Sequence, residues 1–346
     1  MFLKIIKRIN GELESFAARL DKTYKISSLS PLILSAVKDF VLREGKRIRP
    51  ALFCIGYLGY AKKPCPGLYK SALSLELLHD FMLVHDDIID KSPTRRGKPS
   101  MHALFDRKIK GYKNRKFDGK DLAIVAGDII YAMALDLFLS VKESPQRKES
   151  ALKRFNSAVL YTGCGEFIEL IIGARPIEKI TKLDIYKVYD YKTANYTFAS
   201  PLAMGAELAG AKKNEVLKLL KFAMLLGRAF QIKDDIIGSF GEPEETGKSN
   251  LTDILEAKKT ILIWHAYRYG SKRQKKSIKD IFSKKNPVHK DVDEIRGILK
   301  EAKSRDFAEK ETELLIRSAL CLLKSIKMNE ETKLALKELL KKVFSI

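Results

Sequence analysis

Leu73-Ser74-Leu75-Glu76-Leu77-Leu78-His79-Asp80-Phe81-Met82-Leu83-Val84-His85-Asp86-Asp87-Ile88-Ile89, with Asp90 next, decides the fold. Its apolar residues recur at i, i+3, i+4 and i+7, the period of a helix and not the alternation of a strand. On that helix Asp86 and Asp90 sit four residues apart, about 40° around the axis, so both carboxylates leave one face. Carboxylates so close repel each other unless cations stand between them. A hard divalent ion such as Mg²⁺ takes oxygen ligands and keeps positions open for water and substrate phosphate.

A second cluster of the same design, Lys233-Asp234-Asp235-Ile236-Ile237-Gly238, follows about 150 positions later. Two such faces, if opposed, would grip a diphosphate through bridging metals. Helical periodicity also runs through residues 122–141, 151–172, 216–237 and 314–327, and the N-terminal stretch from Met1 to Ile9 reads as a first amphipathic helix. The breaks are short and rich in Gly, Pro or Lys: 62–67, 92–99, 241–250 and 270–287. The expectation is an all-α protein of roughly ten or more helices. No shift in composition divides it, so residues 1–346 read as a single domain with a basic loop insertion at 107–118. That loop is either a plain surface loop or a contact for substrate or lipid.

The chain has 346 residues, 45% hydrophobic and 31% charged, with a net charge of +22. That balance favours anionic partners: nucleic acid, a lipid surface or phosphorylated small molecules. No signature of a nucleic-acid module is present. No run reads as the roughly 20 apolar residues of a membrane span, and no signal peptide is evident, so the protein is expected to be soluble and cytoplasmic. Cys54, Cys65, Cys164 and Cys321 are scattered, which suits neither a zinc site nor a disulfide framework.

Cations surround the acids. Gly45-Lys46-Arg47-Ile48-Arg49-Pro50 is expected to end a helix, Arg95-Arg96-Gly97 follows the first acid motif, and Lys192-Thr193 lies in a tyrosine-rich helical segment. Gly247-Lys248 and Lys258-Lys259-Thr260 follow the second motif. Arg forks suit phosphate oxygens, and Lys supplies point charge. Gly241 to Ser249 approaches a P-loop but has five residues between its glycines and follows a helix, so nucleotide binding is not expected. His85 adjoins the acids yet points about 100° around the helix from Asp86, which favours a structural role.

These motifs in this order resemble the trans-polyprenyl (isoprenyl) diphosphate synthases, from about Leu42 to Lys259 and more weakly to the C-terminus. The set is Gly45-Lys-Arg-x-Arg-Pro50, Glu76-x-x-His79, His85-Asp-Asp-x-x-Asp90, Arg95-Arg-Gly97, Lys192-Thr193, Gln231-x-x-Asp-Asp235 and Gly247-Lys248. The resemblance implies helices around a central elongated cavity and a Mg²⁺-dependent condensation of isopentenyl diphosphate with a dimethylallyl, geranyl or farnesyl diphosphate. It implies that Asp86, Asp87, Asp90, Asp234 and Asp235 bind Mg²⁺. Arg95, Lys192, Lys248 and Lys258 would contact the allylic diphosphate, with Thr193 and Gln231 in the same site. Lys46, Arg49, His79 and Arg96 would hold isopentenyl diphosphate. Phe81 and Met82 would set product length at about C15–C25, with C20 geranylgeranyl diphosphate the main product, although Phe81 is equally read as an ordinary core residue. A homodimer is implied as well. Two departures stand out: Gly238 replaces the usual last Asp of the second motif, and Leu251 replaces a common Gly.

The alternatives are a class I terpene cyclase, a non-catalytic subunit of a heteromeric prenyltransferase and a nucleic-acid-binding helical protein. A cyclase has no use for Lys46, Arg49, His79 and Arg96. A non-catalytic subunit predicts eroded acids, and nucleic-acid binding leaves the acid motifs unexplained.

Overall fold

The computed structural model describes residues 1–241, 258–284 and 287–344. It is all-α apart from one two-stranded hairpin among the described residues. The chain divides into two compact units: 1–152 with 204–210 and 329–338, and 153–203 with 211–328 and 339–346.

The first unit carries α1 (Phe2–Tyr24), α2 (Pro31–Val41), α3 (Ile48–Leu58), α4 (Leu68–Ile89), α5 (Met101–Lys108), α6 (Gly119–Leu139) and the start of α7 (Pro145–Ala174). The helix of residues 73–89 is thus the end of α4. It begins after Gly67, whose φ of 81° and whose approach to the Ser140 carbonyl, 2.6 Å from an added Cβ, admit no side chain. Most of α4 between Leu68 and Leu78 is buried on every side, as befits a central helix. It packs along α6, and Leu73, Leu77, Ile130 and Phe138 are among the fully buried side chains. Each such burial stabilises the fold by about 1.5–3 kcal/mol.

The second unit carries the rest of α7, α8 (Lys182–Val188), a π-helical segment (Tyr189–Ala199), the start of α9 (Ser200–Leu208), α10 (Lys213–Phe240), α11 (Ile261–Tyr269), α12 (Lys272–Phe282), α13 (His289–Glu301), α14 (Ser304–Ser325) and the end of α15 (Glu330–Phe344). Thr181 and Asp184 form a capping box that starts α8. Helix α10 packs on α14 and on the π segment. Ile185, Ile232, Leu262, Ile278, Val292 and Leu299 share one buried core.

Two expectations are corrected. Residues 45–50 begin a helix instead of ending one: α2 stops at Val41, and Pro50 falls in the first turn of α3, where its missing N–H costs nothing. The basic loop starts at Ile109, because Arg107 and Lys108 close the last turn of α5. Two helices, Gly119–Leu139 and Pro145–Ala174, are long and apolar enough to cross a membrane by length and composition alone, a test that the core helix of a soluble protein also passes.

Candidate active site

In the first unit, the end of α4 presents Asp86 and Asp90 partly exposed and Asp87 fully buried. The chain then turns through Lys91 (φ 51°) and enters the hairpin, where Thr94 pairs with Pro99 and Arg95 with Lys98. Its two-residue tip, Arg96-Gly97, has φ of 53° and 71°, the left-handed pair that a type I′ turn needs. This explains why a glycine follows the two arginines. The reversal at Lys91, closed by the Ser92 N–H donating to the Asp87 carbonyl (2.9 Å), is what brings Arg95 back onto the acids: its Nε donates to Asp87 Oδ1 (2.8 Å), its Nη2 donates to the same oxygen, and Nη2 also reaches Asp86 Oδ2 (3.2 Å).

Arg96 turns the other way. Its guanidinium lies 3.6 Å from Glu76 and 3.5 Å from Asp80, two acids one turn apart on α4. Glu76 also accepts from Arg47 (2.5 Å), whose other terminal nitrogen donates to the Arg43 carbonyl (2.7 Å). Arg47 is a buried anchor, while Lys46 is exposed and Arg49 half-buried. Gly45 leaves room here, since a Cβ would come within 3.0 Å of Arg47 Nη1. Burial, together with the charges of Arg49, Arg96, Arg95 and Arg47, holds His79 well below the usual imidazole range, so it is neutral at pH 7. Burial and the neighbouring Glu76 push the Asp80 carboxyl well above its usual range, and Arg96 only partly offsets them. Neither Asp80 oxygen accepts a hydrogen bond among the described residues.

Phe81 is partly exposed, and its ring lies tilted against the Tyr131 ring of α6 (centroids 5.1 Å apart) and the His85 ring (4.6 Å); Met82 is also partly exposed. His85 is wedged against Gly127, where an added Cβ would lie 2.5 Å from its ring, in keeping with a structural role.

In the second unit, Asp234 is exposed and Asp235 is buried at 4%. The Asp235 carboxylate accepts from Gln231 Nε2 (2.9 Å) and from the Tyr189 hydroxyl. That hydroxyl also accepts from the Ile261 N–H (2.9 Å), and Gln231 accepts from Thr193 (2.6 Å). A chain of bonds therefore links the π segment, α10 and the first residue of α11. Burial and the Asp235 charge keep the Tyr189 phenol well above its usual range, so it remains a donor. Lys192 is clamped between Glu166 and Glu169 of α7, 2.5 Å from each. Gly165 permits the close approach of the two backbones, since its Cβ would lie 2.5 Å from the Lys192 backbone nitrogen. Lys258 is half-buried. Its neighbour Lys259 is buried, donates to the Gly173 carbonyl (3.1 Å) and has its pKa lowered to about 8 by burial. Lys248 and Leu251 lie outside the described residues.

The structure thus gathers Arg49, His79, Arg96, Asp86, Asp87, Asp90 and Arg95 around one end of α4, and Lys192, Thr193, Gln231, Asp234 and Asp235 around α10. Each motif has one buried, bonded acid (Asp87, Asp235) and more accessible partners (Asp86, Asp90, Asp234). The accessible ones offer hard oxygen donors of the kind Mg²⁺ takes, so the residues fit that ion. Spacing alone does not single out Tyr189, Glu166, Glu169 or Asp80, each of which contacts an expected site residue. For Glu166 and Glu169 a signal existed: two acids one turn apart on an otherwise apolar stretch.

The family model described as Polyprenyl synthetase matches residues 30–299. The short chain isoprenyl diphosphate synthase of Methanocaldococcus jannaschii is 29% identical over 296 residues, covering 86% of this chain and 82% of that protein. The geranylgeranyl diphosphate synthase of Saccharolobus solfataricus is 28% identical over 330 residues, covering 92% and 89%. A crystal structure of geranylgeranyl pyrophosphate synthase from Corynebacterium glutamicum, complexed with isoprenyl diphosphate and magnesium, superimposes with a TM-score of 0.87 at 27% identity, covering 98% of each chain. With the acid motifs, the hairpin arginines and the π-segment lysine in place, the chain belongs to the polyprenyl synthetase family and is a prenyltransferase.

Proposed function

We propose that the protein condenses isopentenyl diphosphate with an allylic diphosphate to make a short all-trans chain, C20 geranylgeranyl diphosphate foremost. The observation that carries this is the presence of two different kinds of group. One is acidic and suited to Mg²⁺: Asp86 and Asp90 in the first unit, and Asp234 in the second. The other is a metal-free cationic set, Lys46, Arg49, Arg96 and the neutral His79, suited to a second diphosphate. Geranylgeranyl and geranylfarnesyl diphosphate synthases among the relatives support the product class.

Bound Mg²⁺ would neutralise charge on the allylic diphosphate as it leaves. Asp86, Asp87 and Asp90 of the first unit, and Asp234 and Asp235 of the second, would hold Mg²⁺, with Arg95 and Gln231 orienting the two buried acids. Lys192 and Lys258 stabilise the departing diphosphate electrostatically. The allylic carbon–oxygen bond breaks, and the electron pair leaves with the diphosphate. The isopentenyl double bond attacks the resulting cation, and the proton released passes to the departing diphosphate. No protein nucleophile is needed.

Two further readings belong with this one. A homodimer is supported by an apolar stripe on α7, where Leu160 (62% exposed), Phe167 (67%) and Ile171 (52%) face outward with Leu170. A cytoplasmic location is supported by four free cysteines.

The deciding experiment incubates the protein with Mg²⁺, labelled isopentenyl diphosphate and each allylic primer in turn, then sizes the alcohols after phosphatase treatment. Chain extension with at least one primer is expected. No incorporation with any primer overturns the reading in favour of a non-catalytic subunit.

A further inference from the structure

The basic segment that begins in the last turn of α5 has no part in the chemistry above. Arg107, Lys108, Lys110, Lys113, Arg115 and Lys116 place six cations in ten residues with no acid among them. All six are exposed, and none pairs with a carboxylate among the described residues. Two aromatic side chains stand out between them, Tyr112 at 60% and Phe117 at 40% exposure.

The base of the segment is built to hold it outward. Ile109 is buried at 1% and Phe105 at 1%, which anchors the entry side. On the exit side Asp118 and Asp121 form a capping box at the start of α6, and the Gly119 N–H donates to Asp106 Oδ1 (2.8 Å). A Cβ on Gly119 would lie 2.2 Å from the His102 carbonyl, so the two ends of the loop meet closely on α5. Residues 110–117 therefore project as a cationic, aromatic tip on a fixed base.

An ordinary solvated face looks different. The run Lys272 to Lys276 lies on α12, whose Ile278 and Ile281 are buried, so its cations are the outer side of a packed helix. The tip at 110–117 has exposed rings and no buried face. Clusters of four to eight Lys and Arg match the negative surface of an anionic bilayer. Tyr and Phe between the cations add an apolar body that enters the headgroup layer.

We infer that residues 107–117 dock the enzyme on an anionic lipid surface. The inference goes beyond the proposed reaction and gains a purpose from it, since a C20 diphosphate is an amphiphile that must pass from a protein to a bilayer. The docking itself does not depend on catalysis, so it stands or falls separately.

The test is co-sedimentation of the full chain with phosphatidylcholine vesicles, with and without phosphatidylglycerol, at low and high salt. Binding is expected only to the anionic vesicles and is expected to weaken with salt. Each cation near the surface is worth about fivefold in partitioning, so changing Lys110, Lys113, Arg115 and Lys116 together to Gln should lower binding more than ~100-fold. Extension of short soluble primers should be unchanged in that variant, since none of the four residues belongs to the site. The pair Tyr112→Ser and Phe117→Ser should remove the part of the binding that survives high salt. Absence of anionic-vesicle binding overturns the inference. So does binding that the four-residue variant retains in full, or loop-dependent binding to duplex DNA or RNA with none to vesicles.

Discussion

The Tyr189 hydroxyl donates to Asp235 and accepts from the backbone N–H of Ile261, so one buried side chain ties the second acid motif to the first residue of α11. Asp235 has its other oxygen on Gln231, which Thr193 holds in turn. The carboxylate is fixed in orientation before any ligand arrives, which is how a site avoids spending binding energy on arranging itself.

Replacing Tyr189 with Phe should therefore cost more than a hydrogen bond. It removes two hydrogen bonds at once, one to a buried carboxylate and one from a buried N–H, at about 1–3 kcal/mol each. Thermal unfolding should drop by several degrees, and the Mg²⁺ concentration for half-maximal activity should rise several-fold. Melting with Mg²⁺ and inorganic pyrophosphate should show a smaller ligand-induced shift than in the unaltered protein. An unchanged Mg²⁺ dependence together with an unchanged ligand shift would remove Tyr189 from this role.

Asp80 offers the opposite case, a buried acid that is poorly compensated. Its carboxyl is raised by burial first and Glu76 second, so the charged form is disfavoured in the folded state. The sign follows directly: the folded state binds more protons than the unfolded one above the ordinary carboxyl pKa, so stability falls as pH rises through that window. Asp80→Asn removes the titration. The variant should melt higher than the parent at pH 7–8, with the gap closing toward pH 4. Melting curves across that range check it, and a variant less stable at pH 7 would mean that the Arg96 contact outweighs burial.

Much of this was legible in the sequence because periodicity reports burial. Residues 73–89 read as a helix and are one, and residues 216–237 lie inside α10. What spacing cannot report is which of two adjacent acids faces the protein. Asp86 and Asp87 look equivalent in the sequence, yet Arg95 returns after the reversal at Lys91 to bind the buried one. The π segment was equally hidden, since an i→i+5 ladder such as Ser200 N–H to the Asn195 carbonyl leaves no compositional mark. Lys192 was found by its motif, but its clamp by Glu166 and Glu169 depends on a different helix.

Gly227 shows how tightly α10 and the π segment meet. A Cβ there would lie 2.3 Å from the Ala194 Cα, a backbone atom that cannot swing aside. Gly227→Ala should force the two elements apart and destabilise by about 1–3 kcal/mol. Because Thr193 and Gln231 bond across the same crossing, activity should fall along with the melting temperature. Full activity with an unchanged melting temperature would show that the crossing yields easily.

Phe81 is the test of product length. It lies five residues before Asp86 on α4, is partly exposed, and has its ring 5.1 Å from Tyr131. A core residue would be sealed on all sides, as Leu77 and Val84 are at 0% exposure. Partial exposure beside an aromatic neighbour is what a pocket floor requires. Phe81→Ala should shift the extracted alcohols toward longer chains, with activity on short primers retained. Met82→Ala, four residues before Asp86, should lengthen them less, because it removes no ring. Chromatography of the alcohols decides: an unchanged distribution in Phe81→Ala returns the residue to the core and leaves the length limit to be sought elsewhere on the pocket wall.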